Sequence, residues 1–342
     1  MESVRLGFFL CAVATLGMAF GQTPIAAADD VVFKVVMVED EEENPLAAGK
    51  AAAEALRKAM GDVALKAVIV SECFEDREYK EEMLEGVCSV LPPEIVMGGA
   101  TYGSFTQEGC TDFDSLCLLG LGGEGLSVSA RMIKNLGTAK LTFGNDSERI
   151  TEKLHAAGEK LAQRLRRTDR DRLLILIADA HAPKNQPLVE GVQKVLGKQF
   201  PITGGCVNKN AGQTFVYFGG KMYADSAVAL MLAGDFKVSL SGRQANENDK
   251  VISSAREGAQ EALDKAKGRP IAAIAFNCAG RRSKLKSYDD ELAAMQSALG
   301  EELPLFGSYC AGEMGPVDDA EKSTDAFSGG SGWHVMFTIV SQ

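Results

Sequence analysis

Basic residues are in short supply. The chain has 36 Lys and Arg against 47 Asp and Glu, for a net charge of −11. That balance argues against nucleic acid and anionic membrane surfaces as partners. The one arginine-dense stretch, RLRRTDRDR from Arg164 to Arg172, alternates in sign and reads as a solvated helix end. The eight cysteines contain no CxxC pair and no zinc-ligand spacing, so no metal is expected. There is no Walker loop, no dinucleotide-binding glycine fingerprint and no nucleophile elbow. After Phe20 no apolar run is long enough to cross a bilayer, so the mature chain is not expected to insert in a membrane.

What is present begins with a leader. Leu6 to Phe20, LGFFLCAVATLGMAF, is an apolar run preceded by Arg5 and followed by Ala26-x-Ala28. It is shorter than the ~20 residues a membrane span needs. The pattern predicts a signal peptide over 1–28, cleavage before Asp29, and a periplasmic or extracellular protein. The remaining 314 residues suffice for one large domain or two ordinary ones. Export permits disulfides, but the seven remaining cysteines are odd in number, so at least one stays unpaired within the chain. Cys88 and Cys117 sit in apolar segments and read as small core residues.

Three stretches share one order of elements. The first contains AGKAAAEALRKAM, ALKAVIVSEC, EEMLEGVCSVL, EIVMGGATYG and DSLCLLGLGG. The second runs AGEKLAQRLRR, RLLILIADAH, PLVEGVQKVLG, FPITGGCVNK and DSAVALMLAGD, and the third EGAQEALDKAKG, IAAIAFNCAG, ELAAMQSALG, LPLFGSYCAG and GWHVMFTIV. Gly98-Gly99, Gly204-Gly205 and Gly307-Ser308 align at offsets of 106 and 103 residues, and Gly86, Gly191 and Ala294 at 105 and 103. Each unit reads as helix, strand, helix, strand and a further antiparallel strand. The continuous apolar runs Val68–Val70, Leu173–Ile177 and Ile271–Phe276 predict strands buried on both faces, joined to the next strand by parallel crossovers. The expected fold is α/β, with mixed sheets flanked by helices, built from three α-β-α-β-β repeats.

Ligands bind outside the carboxyl ends of parallel strands. Glu72, Asp179 and Asn277 are read as equivalent strand-end residues, and the glycine motifs as turns beside them, together lining a concave, partly polar pocket. Arg281 in CAGRR could take a carboxylate or phosphate with its fork; the alternative is a loop cation beside Arg282, Lys284 and Lys286. Glu313 could take an ammonium, or pair with Arg281. Tyr102 and Tyr309 suit a pocket wall or a sheet cover, and Asn208 and Asn277 a ligand contact or a turn. Asp179 and His181 form the one carboxylate–histidine pair near a strand end, with the format of an oriented base or a haem ligand. His155 and His334 read as structural. Cys206 is the cysteine inside a glycine motif, and Cys278 and Cys310 could bridge if their strands are neighbours.

At these residues the chain resembles the FIST domain family, over nearly the whole length from Leu46 to Val340. The most specific pieces are Cys278-x-Gly280-Arg281, Gly312-Glu313-Met314-Gly315-Pro316 and DSAVALMLAGDF. The resemblance implies a FIST N-terminal region over 29–243 and a C-terminal region over 244–342. It implies a sensory, small-ligand-binding module rather than an enzyme, with an amino acid or other small carboxylate as ligand. Haem is an alternative cofactor implied for some members. The expected ligand contacts are Gly98, Gly99, Tyr102, Asp179, Gly204, Gly205, Asn208, Asn277, Arg281, Gly307, Ser308, Tyr309, Gly312 and Glu313, with no catalytic residue. The family usually carries an Asn-x-Thr-like stretch before its last strand, where this chain has DAFSGGSGWHV. With no output domain expected, signalling would need an unidentified partner. The alternative is a hydrolase or thiol redox enzyme using Cys206, Cys310 or His181.

Overall fold

The structure, a computed structural model, describes residues 30–209, 214–318 and 325–342. The signal peptide expected over 1–28 lies outside the described residues. Three units follow one another. The first comprises β1 (Val32–Glu39), α1 (Pro45–Met60), β2 (Leu65–Glu72), α2 (Arg77–Cys88), β3 (Val96–Ala100), an excursion carrying β4 (Ser104–Phe105), and β5 (Ser115–Gly122). The second comprises β6 (Leu126–Lys134), α3 (Phe143–Gln163), β7 (Asp171–Ala178), α4 (Asn185–Leu196), β8 (Ile202–Cys206), an excursion with β9 (Val216–Phe218) and β10 (Lys221–Tyr223), and β11 (Ser226–Gly234). The third comprises β12 (Lys237–Gln244), α5 (Asn248–Asp264), β13 (Pro270–Cys278), α6 (Ala279–Arg282), α7 (Tyr288–Leu299), β14 (Leu305–Cys310), an excursion with β15 (Glu313–Gly315) and β16 (Gly329–Ser331), and β17 (His334–Ser341).

Local chemistry explains the elements. Asn44 caps α1 by accepting from the Ala47 amide at 3.1 Å, and Pro45 occupies the first turn, where its missing N–H costs nothing. The buried stripe of α1 is Ala48, Ala52, Ala53, Leu56 and Met60 at helical spacing, and Gly61 ends it at φ +57°. β5 is buried at every position, as its continuous apolar sequence predicts. The parallel crossovers expected from sequence are present in all three units, as β2–β3, β7–β8 and β13–β14. The last strands β5, β11 and β17 pair antiparallel with β2, β7 and β13. Each unit also opens with a strand, β1, β6 or β12, that the repeat pattern did not reveal.

The three sheets surround one central core. Ile69, Leu119, Ile175, Leu230, Ile274 and Val340, drawn from all three, pack on the axis. Each helix pair covers the outer face of its own sheet. The excursions interlock the units in a ring. Unit two sends β9 to pair with β3, unit three sends β15 to β8, and unit one sends β4 to β14. Backbone bonds repeat the exchange at the strand ends: Asn208 N to Ala100 O at 2.8 Å, Cys206 N to Gly312 O at 2.8 Å, and Tyr102 N to Tyr309 O at 2.8 Å. Among the described residues no helix is long and apolar enough to cross a membrane.

The glycines aligned within the helices are contact points. A Cβ on Gly191 of α4 would overlap the His155 carbonyl of α3. We therefore expect Gly191→Ala to force the two helices apart and to cost about 1–3 kcal/mol. Gly144→Ala, near the start of α3 with no atom within 4 Å of its added Cβ, should be neutral or stabilising. Urea unfolding of both variants reads the difference; equal costs would show that the α3–α4 contact does not limit stability.

Candidate functional site

The glycine motifs are not turns. Gly98-Gly99, Gly204-Gly205 and Gly307-Ser308 lie inside β3, β8 and β14, and so does Cys206. They are small because neighbours press on them. A Cβ on Gly204 would run into the Leu176 carbonyl, one on Gly205 into the Cys310 sulfur, one on Gly99 into Val207 and one on Gly307 into the Phe105 ring. Register also corrects the strand-end set. Glu72 pairs with Ala100 and Asn277 with Tyr309, but the residue paired with Cys206 is Ala178, so Asp179 lies one step beyond. The three strand ends do converge, as expected. Their convergence is nearly closed: the cavity on the axis is about 10 Å³, room for about one water. It is lined by Ile177, Phe276 and Phe306, by the hydroxyls of Ser71, Thr101 and Ser308, and by Cys206 and Cys310. Ser71 Oγ lies 3.1 Å from Thr101 Oγ1, 2.8 Å from Ser104 Oγ and 3.1 Å from Ser308 Oγ.

The charged candidates are used internally. Arg281 is fully buried, not a loop cation. Its Nε donates to Asn277 Oδ1 at 3.0 Å, Nη1 to Ser254 Oγ at 3.0 Å, and Nη2 to Val251 O and Glu291 Oε1, both at 3.0 Å. Asn277 Nδ2 and the Tyr309 hydroxyl complete the shell of Glu291 at 3.0 and 3.2 Å. The fork expected to bind a ligand therefore binds the protein. Glu72 is likewise enclosed, accepting from the Phe74 amide at 2.8 Å, from Lys80 at 3.3 Å and from the Tyr217 hydroxyl. Arg282 sits among the rings of Tyr288, Tyr309 and Tyr102 and donates to the carbonyls of Tyr102 and Thr111. Tyr102 is half-buried and also stands edge-on to Phe113, 5.6 Å between centroids.

The alternative role for Glu313, a pair with Arg281, is not formed, since Arg281 bridges Glu291. Glu313 is fully buried; its Oε2 accepts from the His334 amide at 3.0 Å, and its Oε1 has no hydrogen-bond partner. Burial raises its carboxyl to about 8, against the lowering by the His334 amide, the Cys278 thiol and the more distant Arg281 charge. Gly312, at φ +143°, lets the chain pass the Ala182 amide, 2.8 Å from where a Cβ would stand. Asp179 Oδ2 accepts from Thr214 Oγ1 at 2.9 Å and from the Asp225 amide at 2.8 Å, so it orders a turn. Burial lowers the His181 imidazole, more than the Asp179 charge raises it, and its Nε2 is enclosed without a partner. Its Nε2, closed to solvent, gives no support to the haem-ligand reading. Burial pushes the Cys206 thiol well up, and it donates to Ala180 O at 3.0 Å; Cys310 is raised too.

An open site lies at the rim of the same edge. A cleft of about 790 Å³ separates the starts of α3 and α4 from the segment Gly330–Trp333. Phe143, Pro183 and Trp333 supply apolar walls; Gln186, Glu190 and Gln244 supply polar groups. Trp333 is the single tryptophan, 38% exposed and held at φ +63°, a conformation uncommon for a bulky residue. The polar groups form a relay. Gly330 N donates to Gln186 Oε1 at 2.6 Å, Gln186 Nε2 donates to Glu190 Oε1 at 2.9 Å, and Glu190 Oε2 meets His155 Nε2 at 2.7 Å. Asn185 fixes the facing segment by donating to Glu313 O at 2.9 Å and Ser331 O at 2.7 Å. Sequence reasoning missed this cleft; its one signal was DAFSGGSGWHV, which departs from the family pattern and forms one wall.

Two outcomes follow. Arg281→Ala strands Glu291 and Asn277 in the core and should cost roughly 3–5 kcal/mol in urea unfolding; a small loss would mean the network is dispensable. For Glu313, the native carboxyl is raised above its ordinary value of 4.5 to about 8, so folding takes up a proton between those values. Stability contributed by the neutral form is therefore full below about 4.5 and is lost as pH rises through about 8. Glu313→Gln should flatten unfolding free energy against pH over that window, and an unchanged slope would assign it to another group.

Family models match this chain in two overlapping segments. The FIST N domain model matches residues 66–258 and the FIST C domain model residues 215–316. No curated protein matches. Among solved structures the chain is similar to cyanuric acid hydrolase from A. caulinodans, at 10% identity over 91% of this chain and 99% of that one, with a TM-score of 0.44. A second cyanuric acid hydrolase, described as evolutionary innovation by structural concatenation, matches at 12% identity over 91% and 99%, TM-score 0.42. PurLQS from Thermotoga maritima matches at 8% identity over 91% and 72%, TM-score 0.30. FIST domains are generally the sensory, ligand-binding parts of signalling proteins, and the chain belongs to the FIST family.

Proposed function

We propose that the protein is an exported sensor that binds a small amino-acid-like ligand in the cleft between α3, α4 and Gly330–Trp333. The observation that carries the proposal is the cleft itself. It has the ordinary volume of a small-molecule site, apolar walls and a few convergent polar groups. It lies beyond the carboxyl end of β7, where open α/β sheets take ligands. The start of α4 suits a carboxylate through the positive end of the helix dipole alone, since the Gln186 amide donates to Asn185 Oδ1 and Pro187 has no N–H. The Glu190 carboxylate suits an ammonium, and the Trp333 face accepts either an apolar body or a cation. These groups replace Arg281 and Glu313 as the source of the two charges an amino acid needs. The state of the sulfurs favours binding over turnover: burial keeps Cys206 and Cys310 as thiols, and the thiolate is the nucleophile.

The test is thermal unfolding of the chain from Asp29 against amino acids, small carboxylates, nucleotides and haem. A ligand of the folded state adds about 2.7 kcal/mol at a hundredfold excess over its dissociation constant. An amino acid or carboxylate should raise the midpoint and change the emission of Trp333. Trp333→Ala and Glu190→Gln should each weaken binding at least tenfold while the unliganded midpoint holds. A ligand indifferent to both substitutions would place the site elsewhere, and no shift with any class would remove the reading.

A further inference from the structure

We propose that Cys278 and Cys310 are a disulfide-forming pair that ties the ends of β13 and β14 together behind Trp333. The two are in-register partners on the parallel strands β13 and β14, the only such cysteine pair among the described residues. Paired residues on neighbouring strands stand ~4.8 Å apart, inside the ~4.4–6.8 Å between Cα atoms that a disulfide spans. Strand alternation turns both to one face. Ile274 and Phe276, four and two residues before Cys278 on β13, face the central core, as do Phe306 and Cys310 on β14, so alternation puts Cys278 on that same face. The same rule removes the third nearby sulfur. Gly205 faces the Cys310 sulfur, so Cys206 turns to the outer side, where its thiol meets Ala180 O.

Access and chemistry follow from burial. Cys278 is 8% exposed and Cys310 3%, so a reagent in solution reaches Cys278 first. A low-molecular-weight disulfide is the oxidant. The Cys278 sulfur, as thiolate, attacks one sulfur of that disulfide, and the other leaves as a thiolate. The Cys310 sulfur then attacks Cys278 in the mixed disulfide and expels the second thiolate. The two cysteines together lose two electrons and two protons, and the reagent becomes two thiols. The thiol of Cys278 stands at about 12 because it is buried, so exchange in the folded protein is slow and exchange during refolding is faster. The bridge would tie β13 to the strand whose continuation, Ala311–Gly312, carries the backbone bonds to Cys206. It would also alter the surroundings of Trp333, whose ring lies 3.2 Å from where a Cβ on Gly280 would stand, with the Cys278 sulfur at 3.3 Å from the same point.

The experiment refolds and incubates the full chain in glutathione buffers of increasing disulfide content. Free thiols are then alkylated under denaturing conditions and the peptides mapped by mass spectrometry. The expected result is protection of two thiols, a linked Cys278–Cys310 peptide, a change in Trp333 emission and a higher unfolding midpoint in glutathione disulfide. Cys278→Ser and Cys310→Ala should each abolish the linked peptide and the midpoint shift. If either variant fails to fold, the wild-type map decides alone. Full alkylation of both cysteines at every buffer composition, including after refolding, would overturn the proposal, as would a linked peptide joining either to another cysteine.

Discussion

Everything in the molecule depends on a ring of exchanged strands. A parallel crossover leaves the outer edge of its second strand unpaired, and an unpaired edge invites pairing with another chain. Here β3, β8 and β14 each present such an edge, and each is covered by a segment of the following unit. The third unit is followed by the first, so the exchange closes. No unit can complete its sheet alone. The side chains reinforce this: Tyr217 of unit two reaches Glu72 of unit one, Asn185 of unit two holds the excursion of unit three, and Arg282 of unit three holds that of unit one. Stability is thereby shared, and the loss of one fastening loosens two sheets.

Closure has a consequence for binding. Three strand ends meeting on an axis suggest a pocket there, but the backbone bonds that lock the ring fill the space, and small residues let the strands come closer still. Arginine and glutamate next to this junction cannot remain charged and unpaired without a large desolvation cost. Arg281 is satisfied by four acceptors and Glu72 by three donors. Glu313 has one bonded oxygen and a distant cation, so it lowers the cost by holding its proton. The polar residues conspicuous in the sequence are thus fastenings of the ring.

The repeat, the crossovers and the antiparallel last strands were legible because each leaves a periodic mark. The offsets between Gly98, Gly204 and Gly307 are nearly constant, and runs such as Leu173–Ile177 have no other simple reading. The opening strands escaped notice. β6 and β12 are half-exposed and alternate in polarity, so they lack the continuous apolar signature that marked their neighbours. Asp179 was misplaced by one residue, and in a strand one residue reverses the face. Burial of Arg281 was not legible because CAGRR looks like a basic loop until α5 and α7 are packed against it. Glycine in a strand reads as a turn when only its neighbours in sequence are considered.

Three copies of one plan allow the copies to differ. Units one and three close their polar networks completely, around Glu72 with Lys80 and around Arg281 with Glu291, and both networks are excluded from solvent. Among the described residues, unit two has no buried ion pair at the corresponding place. Its polar residues instead run outward along α4, from Asn185 through Gln186 and Glu190 to His155, and end at a cleft. The wall facing them comes from unit three, in the segment that departs from the family pattern and carries the only tryptophan. A network closed on itself can stabilise but cannot recognise, whereas one that reaches solvent retains groups whose partners can be exchanged. Recognition is therefore expected where the repeat has been left open, at the junction of units two and three, while the other copies hold the ring.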